Sequence, residues 1–139
     1  MSARILVVDD EAYIRDLVRD TLRARRYETA TAANGVEALD LLAREKFDIV
    51  VTDVVMPGMA GLELVKAIRK SHPHIRVIVL TGYPRNADIG DFLLQGADDL
   101  LSKPFRANDL LEVIRKVEEK VPPPPAGGGA AEARPGGGA

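Results

Sequence analysis

The chain has no cysteine and no tryptophan, and only three phenylalanines and three tyrosines. Without cysteine there is neither a disulfide framework nor a thiolate metal site. No apolar run approaches the roughly 20 residues needed to span a bilayer. Net charge is small, -2 over 139 residues. That gives no electrostatic argument for a nucleic-acid surface or an anionic membrane as direct partner. No secretory leader precedes the first strand-like segment, so the expected location is the cytoplasm. No glycine-rich phosphate loop follows that first strand, which disfavours nucleotide binding.

Hydrophobic residues make up 46% of the chain, the share of an ordinary globular domain. They are not evenly spread. After Val121 come four prolines, then glycine, alanine and a few charges. Residues 122–139 contain no large apolar side chain and are expected to be a disordered Pro/Gly-rich tail or linker. Residues 3–121 are expected to form one domain.

Within that domain, short β-branched runs alternate with segments of helical spacing. Ile5 to Val8, Ile49 to Val51 and Ile75 to Leu80 predict strands buried on both faces of a parallel sheet. Weaker strands fit Tyr27 to Ala32 and Asp99 to Ser102. Five helices are marked in turn by Ile14, Leu17, Val18 and Leu22; by Val36, Leu39 and Leu42; by Leu62, Val65 and Ile68; by Ile89, Phe92 and Leu93; and by Leu110, Leu111, Ile114 and Val117. Asn34 is placed to cap the second helix, Gly96 to close the fourth, and Asn108 lies near the start of the fifth. Five β-α units predict an α/β domain with a parallel sheet and helices on both faces.

Such sheets bind ligands beyond the carboxyl ends of their strands. Asp9 and Asp10 follow the first strand, Asp53 ends the third, Thr81 the fourth, and Lys103 and Pro104 the fifth. Two unit charges 4 Å apart repel by about 4 kcal/mol at an effective dielectric of 20. Three carboxylates at one edge therefore call for shared protons or a cation. An all-oxygen set suits a hard ion such as Mg2+, which favours one or two carboxylates together with phosphate oxygens. A carboxylate can itself be the nucleophile in phosphoryl transfer, while a lysine and a hydroxyl steady the transferred oxygens. His72 and His74 flank Pro73 in a turn and are expected to face solvent rather than a metal.

Asp9-Asp10, the Asp53-to-Gly61 loop with Met56, Pro57 and Gly58, Thr81-Gly82 and Lys103-Pro104-Phe105 together resemble the motif set of response-regulator receiver domains. The resemblance covers Ala3 to about Val121. It implies a flavodoxin-like, doubly wound five-stranded sheet of order 2-1-3-4-5. It also implies that Asp53 accepts a phosphoryl group from a phosphohistidine on a histidine kinase or phosphotransfer protein. Asp9, Asp10, Asp53 and the backbone carbonyl of Val55 would hold Mg2+. Lys103 and Thr81 would contact the phosphoryl group, and the Lys103–Pro104 bond would be cis. Downstream partners would bind across the fourth helix, fifth strand and fifth helix. Such a domain is a signalling module that catalyses only its own phosphorylation and dephosphorylation.

In this family a Tyr or Phe usually stands three positions before the lysine, but here that residue is Leu100. Thr81, Leu100 and Tyr83 are the candidate switch residues. The alternative reading is a pseudo-receiver, a protein-binding module that does not cycle phosphate. A small-molecule phosphatase of the haloacid-dehalogenase kind would need an acid/base Asp where Val55 stands.

Overall fold

The computed structural model describes residues 3–53, 61–82 and 96–119. Five strands and four helices fall within them: β1 (Arg4–Val8), α1 (Ala12–Arg23), β2 (Glu28–Ala32), α2 (Gly35–Arg44), β3 (Ile49–Asp53), α3 (Gly61–Ser71), β4 (Arg76–Thr81), β5 (Asp99–Ser102) and α4 (Ala107–Glu118). The expected helix marked by Ile89, Phe92 and Leu93 lies outside the described residues. So do Val55, Tyr83 and the 122–139 segment. The helix named α4 is the fifth of those read from the sequence.

All five strands are parallel, in the order β2-β1-β3-β4-β5. Strand side chains alternate between faces, and the central strands are apolar on both. Leu6, Val8, Val50, Val77 and Val79 pack with Ala38 and Leu42 of α2 and with Leu64, Val65 and Ile68 of α3. Ile5, Val7, Ile49, Val51, Ile78 and Leu80 pack on the other face with Val18 and Leu22 of α1 and with Leu110, Ile114 and Val117 of α4. The sheet is therefore sandwiched, with α1 and α4 on one side and α2 and α3 on the other.

The helix ends are set by local chemistry. Asn34 caps α2, its side-chain oxygen accepting from the Glu37 amide at 2.8 Å. Asn108 lies inside α4 rather than at its cap; Asp109 instead accepts from the Arg106 amide at 2.9 Å. Gly96 has φ +112°, and a Cβ there would sit 2.3 Å from Cγ of Arg69. Only glycine meets both constraints. Two apolar residues of the helical pattern are not core: Val36 is 67% and Leu17 39% exposed. His74 is exposed, but His72 is half-buried, with Nε2 3.1 Å from the carbonyl of Leu42.

Candidate functional site

The register of the sheet builds the site. Val8 lies opposite Thr52, so the next residues, Asp9 and Asp53, come side by side. Asp53 lies opposite Leu80, one residue before Thr81. Thr81 lies opposite Ser102, one residue before Lys103. Four residues 22 to 94 positions apart along the chain thus share one edge because the strands are parallel and in step.

Oxygens of Asp9, Asp10 and Asp53 lie within 4.8 Å of one another. Lys103 Nζ is 3.2 Å from Asp9 Oδ2 and 3.3 Å from Asp53 Oδ1. Asp9 is fully buried and Asp53 is 8% exposed, whereas Asp10 faces solvent. The Lys103–Pro104 peptide is cis.

Burial is the main influence on Asp9 and pushes its carboxyl above the ordinary carboxylate value; repulsion from Asp53 adds to it. The Glu11 amide and Lys103 oppose the shift without cancelling it. Burial also pulls Lys103 down, but the charges and hydrogen bonds of Asp9 and Asp53 outweigh it and hold the ammonium above its ordinary value. The lysine stays charged at neutral pH.

Thr81 is 9% exposed, and among the described residues its hydroxyl has no hydrogen-bond partner. A buried hydroxyl without a partner costs free energy, and a ligand at this edge would supply one. Its backbone carbonyl accepts from the Lys103 amide at 2.8 Å, which ties β4 to the start of the cis turn. Strand alternation puts Thr81 on the same face as Leu100, which is half-buried against the Leu6–Val8–Leu64 core.

The donor set fits a hard divalent cation. Three carboxylates offer oxygens within one coordination sphere, no imidazole or thiolate competes, and one ammonium leaves the cluster net negative. A cavity of about 440 Å³ opens beside Lys103, walled by Tyr13, Ile14, Leu17, Pro104 and Phe105. A larger one, about 790 Å³, lies against Arg25, Tyr27 and the outer side of α4 and includes none of the strand-end acids.

The sequence matches the family model of the response regulator receiver domain over residues 5–115. The chain belongs to that family. The receiver is 35% identical over 116 residues to sporulation initiation phosphotransferase F of Bacillus subtilis, covering 84% of this chain and 94% of that one. It is 38% identical over 116 residues to response regulator protein FleR of Pseudomonas aeruginosa, but those residues are only 24% of FleR. Response regulator MprA of Mycobacterium bovis is matched over 50% of its length. The receiver fold is similar to chemotaxis protein CheY4 of Vibrio cholerae, with a TM-score of 0.81 and 36% identity over 84% of this chain and 99% of that one. Among the described residues, no helix is long and apolar enough to cross a membrane.

Two features of the receiver's site were not read from the sequence. The exposed Tyr13 wall of the cavity looks like ordinary helix surface in a linear pattern. The other is the use of Arg15: it shares a helix face with Arg19, but it turns back to the Asp9 carbonyl while Arg19 pairs with Asp16 and Asp20.

Proposed function

We propose that this receiver takes a phosphoryl group from a phosphohistidine onto Asp53 in an Mg2+-dependent reaction. The observation that carries the reading is the placing of a nearly buried Asp53 carboxylate against the Lys103 ammonium, inside an acidic cluster that a divalent cation would complete. A carboxylate oxygen of Asp53 forms the new P–O bond as the donor's P–N bond breaks, and the leaving imidazole keeps the electron pair. Lys103 balances charge on the phosphoryl oxygens, and the Thr81 hydroxyl donates to one of them. Mg2+, when bound, neutralises charge between the carboxylates and the incoming phosphoryl group. Asp9, Asp10 and Asp53 would hold it together with the carbonyl of Val55, which lies outside the described residues.

The donor is a histidine kinase or phosphotransfer protein in the cytoplasm. It approaches over the apolar cavity walled by Tyr13, Leu17 and Phe105, which opens beside Lys103. Output passes to a protein partner across β5, α4 and the helix expected around residues 89–93. Relay of the phosphoryl group is the favoured variant for two reasons. Leu100 offers no aromatic ring to rotate, and a relative of similar extent is named a phosphotransferase. Residues 122–139 would serve as a flexible tail or linker.

Acetyl phosphate with Mg2+ should add one phosphoryl group by intact mass, and chelation of the metal should stop it. No uptake and no Mg2+ binding would leave the pseudo-receiver reading in its place. Stability supplies a second check. Asp9 holds its proton more tightly in the fold than in the unfolded chain. Its stabilising contribution is thus complete below the ordinary value of 3.8 and is lost as pH rises through the raised value. Above that value the buried Asp9 charge is a burden that a cation offsets. Mg2+ at a hundred times its Kd should stabilise by about 2.7 kcal/mol, on the order of 10 °C for a domain of this size. The rise should shrink in melts at about pH 4, where protons compete for the same oxygens.

A further inference from the structure

The four polar groups of Asp9 are all engaged. Its amide donates to the Ala32 carbonyl at 3.2 Å. One carboxylate oxygen accepts from the Glu11 amide at 2.9 Å and the other from Lys103 at 3.2 Å. Its carbonyl accepts from Nη1 of Arg15 at 2.6 Å. Asp10, the next residue, has no hydrogen bond or ion pair of its own among the described residues. The placing of its Cα–Cβ bond, and so the reach of its carboxylate, is inherited from the peptide unit that joins it to Asp9. The oxygen of that unit is the atom Arg15 holds.

Arg23, at the exposed end of α1, also donates to a backbone carbonyl six residues away, that of Thr29; Arg15 differs in its place beside the acids. It is half-buried, and no carboxylate among the described residues pairs with it. A surface arginine normally serves a nearby acid, as Arg19 does with Asp16 and Asp20. Arg15 instead reaches back six residues to a backbone oxygen between two acids of the cluster. A charged donor on a carbonyl makes a stronger hydrogen bond than a neutral one.

We propose that Arg15 is a positioning residue for the metal site: by fixing the Asp9 carbonyl it sets the direction of Asp10 toward the cation. The proposal rests on the receiver reading of that cluster. Two effects of removing Arg15 have opposite sign. Losing a positive charge beside the site favours Mg2+ binding. Losing the anchor weakens it, because partners that orient metal ligands are typically worth ten- to a hundredfold in affinity. Positioning predicts that the second effect wins.

The test is calorimetric titration of Mg2+ alone into the full chain, for wild type, Arg15→Met and Arg15→Lys, with a metal-free melt of each. Methionine keeps helix propensity and an apolar stem. Arg15→Met should bind Mg2+ about tenfold more weakly or worse. Arg15→Lys should fall between, since one donor remains but the planar fork is lost. Arg15→Met affinity equal to or tighter than wild type would overturn the proposal, even if the melt had dropped, because that pattern is support of the fold alone. If Arg15→Met does not fold, Arg15→Lys decides: weaker binding at an unchanged midpoint supports positioning, and unchanged binding overturns it. Absence of Mg2+ binding in wild type would overturn the receiver reading of the cluster, and this inference with it.

Discussion

Asp53→Asn abolishes phosphoryl uptake from acetyl phosphate while leaving the domain folded. The amide has the shape of the carboxylate but lacks the charge and lone-pair strength of a nucleophile, so no P–O bond forms. Lys103 keeps Asp9 as partner at 3.2 Å, so the substitution does not leave its ammonium without an acid. Removing one of three clustered charges also relieves repulsion. The melting midpoint without metal should consequently stay within a few degrees of wild type, as for a change that opens no cavity. The Mg2+-induced rise should shrink, because one of its oxygens now carries no charge. Intact mass after incubation with acetyl phosphate is the direct check. Uptake equal to wild type would place the acceptor elsewhere and remove the basis of the proposed function.

Asp98→Ala is expected to give the largest loss of stability, on the order of 3 kcal/mol. The Asp98 carboxylate accepts from the Val77 amide at 2.8 Å, from Arg69 Nη2 at 3.0 Å and from Arg76 Nη1 at 3.3 Å. Arg69 continues the network, donating to the carbonyls of Gly96 and Pro73, both at 2.8 Å. This one knot joins the end of α3, the start of β4 and the approach to β5. Burial lowers the Arg69 pKa and Asp98 is the charge that opposes this, so truncation leaves a half-buried guanidinium without its acid. Asp98→Asn should cost less, since its oxygen can still serve the Val77 amide. Urea unfolding of the three proteins measures both values. If Asp98→Ala fell within about 0.5 kcal/mol of wild type, the knot would be ornament on an already rigid sheet.

The strands were legible because burial on both faces leaves a continuous β-branched run, as in Ile5 to Val8 and Ile49 to Val51. The acidic site was legible for a related reason: a parallel sheet gathers strand ends, and Asp9, Asp53, Thr81 and Lys103 each stand at one. The order β2-β1-β3-β4-β5 came from the family resemblance and is borne out. Helical periodicity was a coarser guide. It marks a face without giving its width: Val36 and Leu17 belong to the helical pattern and are exposed in the fold. Asn108 does stand near its helix start, and the neighbouring Asp109 makes the capping contact there. Polar partners across the fold were invisible. Arg69 meets Asp98 across 29 residues and Tyr27 meets Glu118 across 91. No local pattern encodes such pairs, because each is chosen only once the backbones have met.

Glu118 near the end of α4 accepts from the amide of Ala3 at 3.2 Å and from the Tyr27 hydroxyl at 2.8 Å. The start of β1 and the end of α4 are thus clasped together. They lie at the pole away from Asp53, since β1 runs from that clasp toward the acids over five residues, roughly 17 Å of strand. Anything covalently joined beyond either end leaves from this pole. A tethered module would start from behind Asp53 rather than over it. It would sense the site only through the body of the sheet or by reaching around it, and the front would stay open to a diffusing donor.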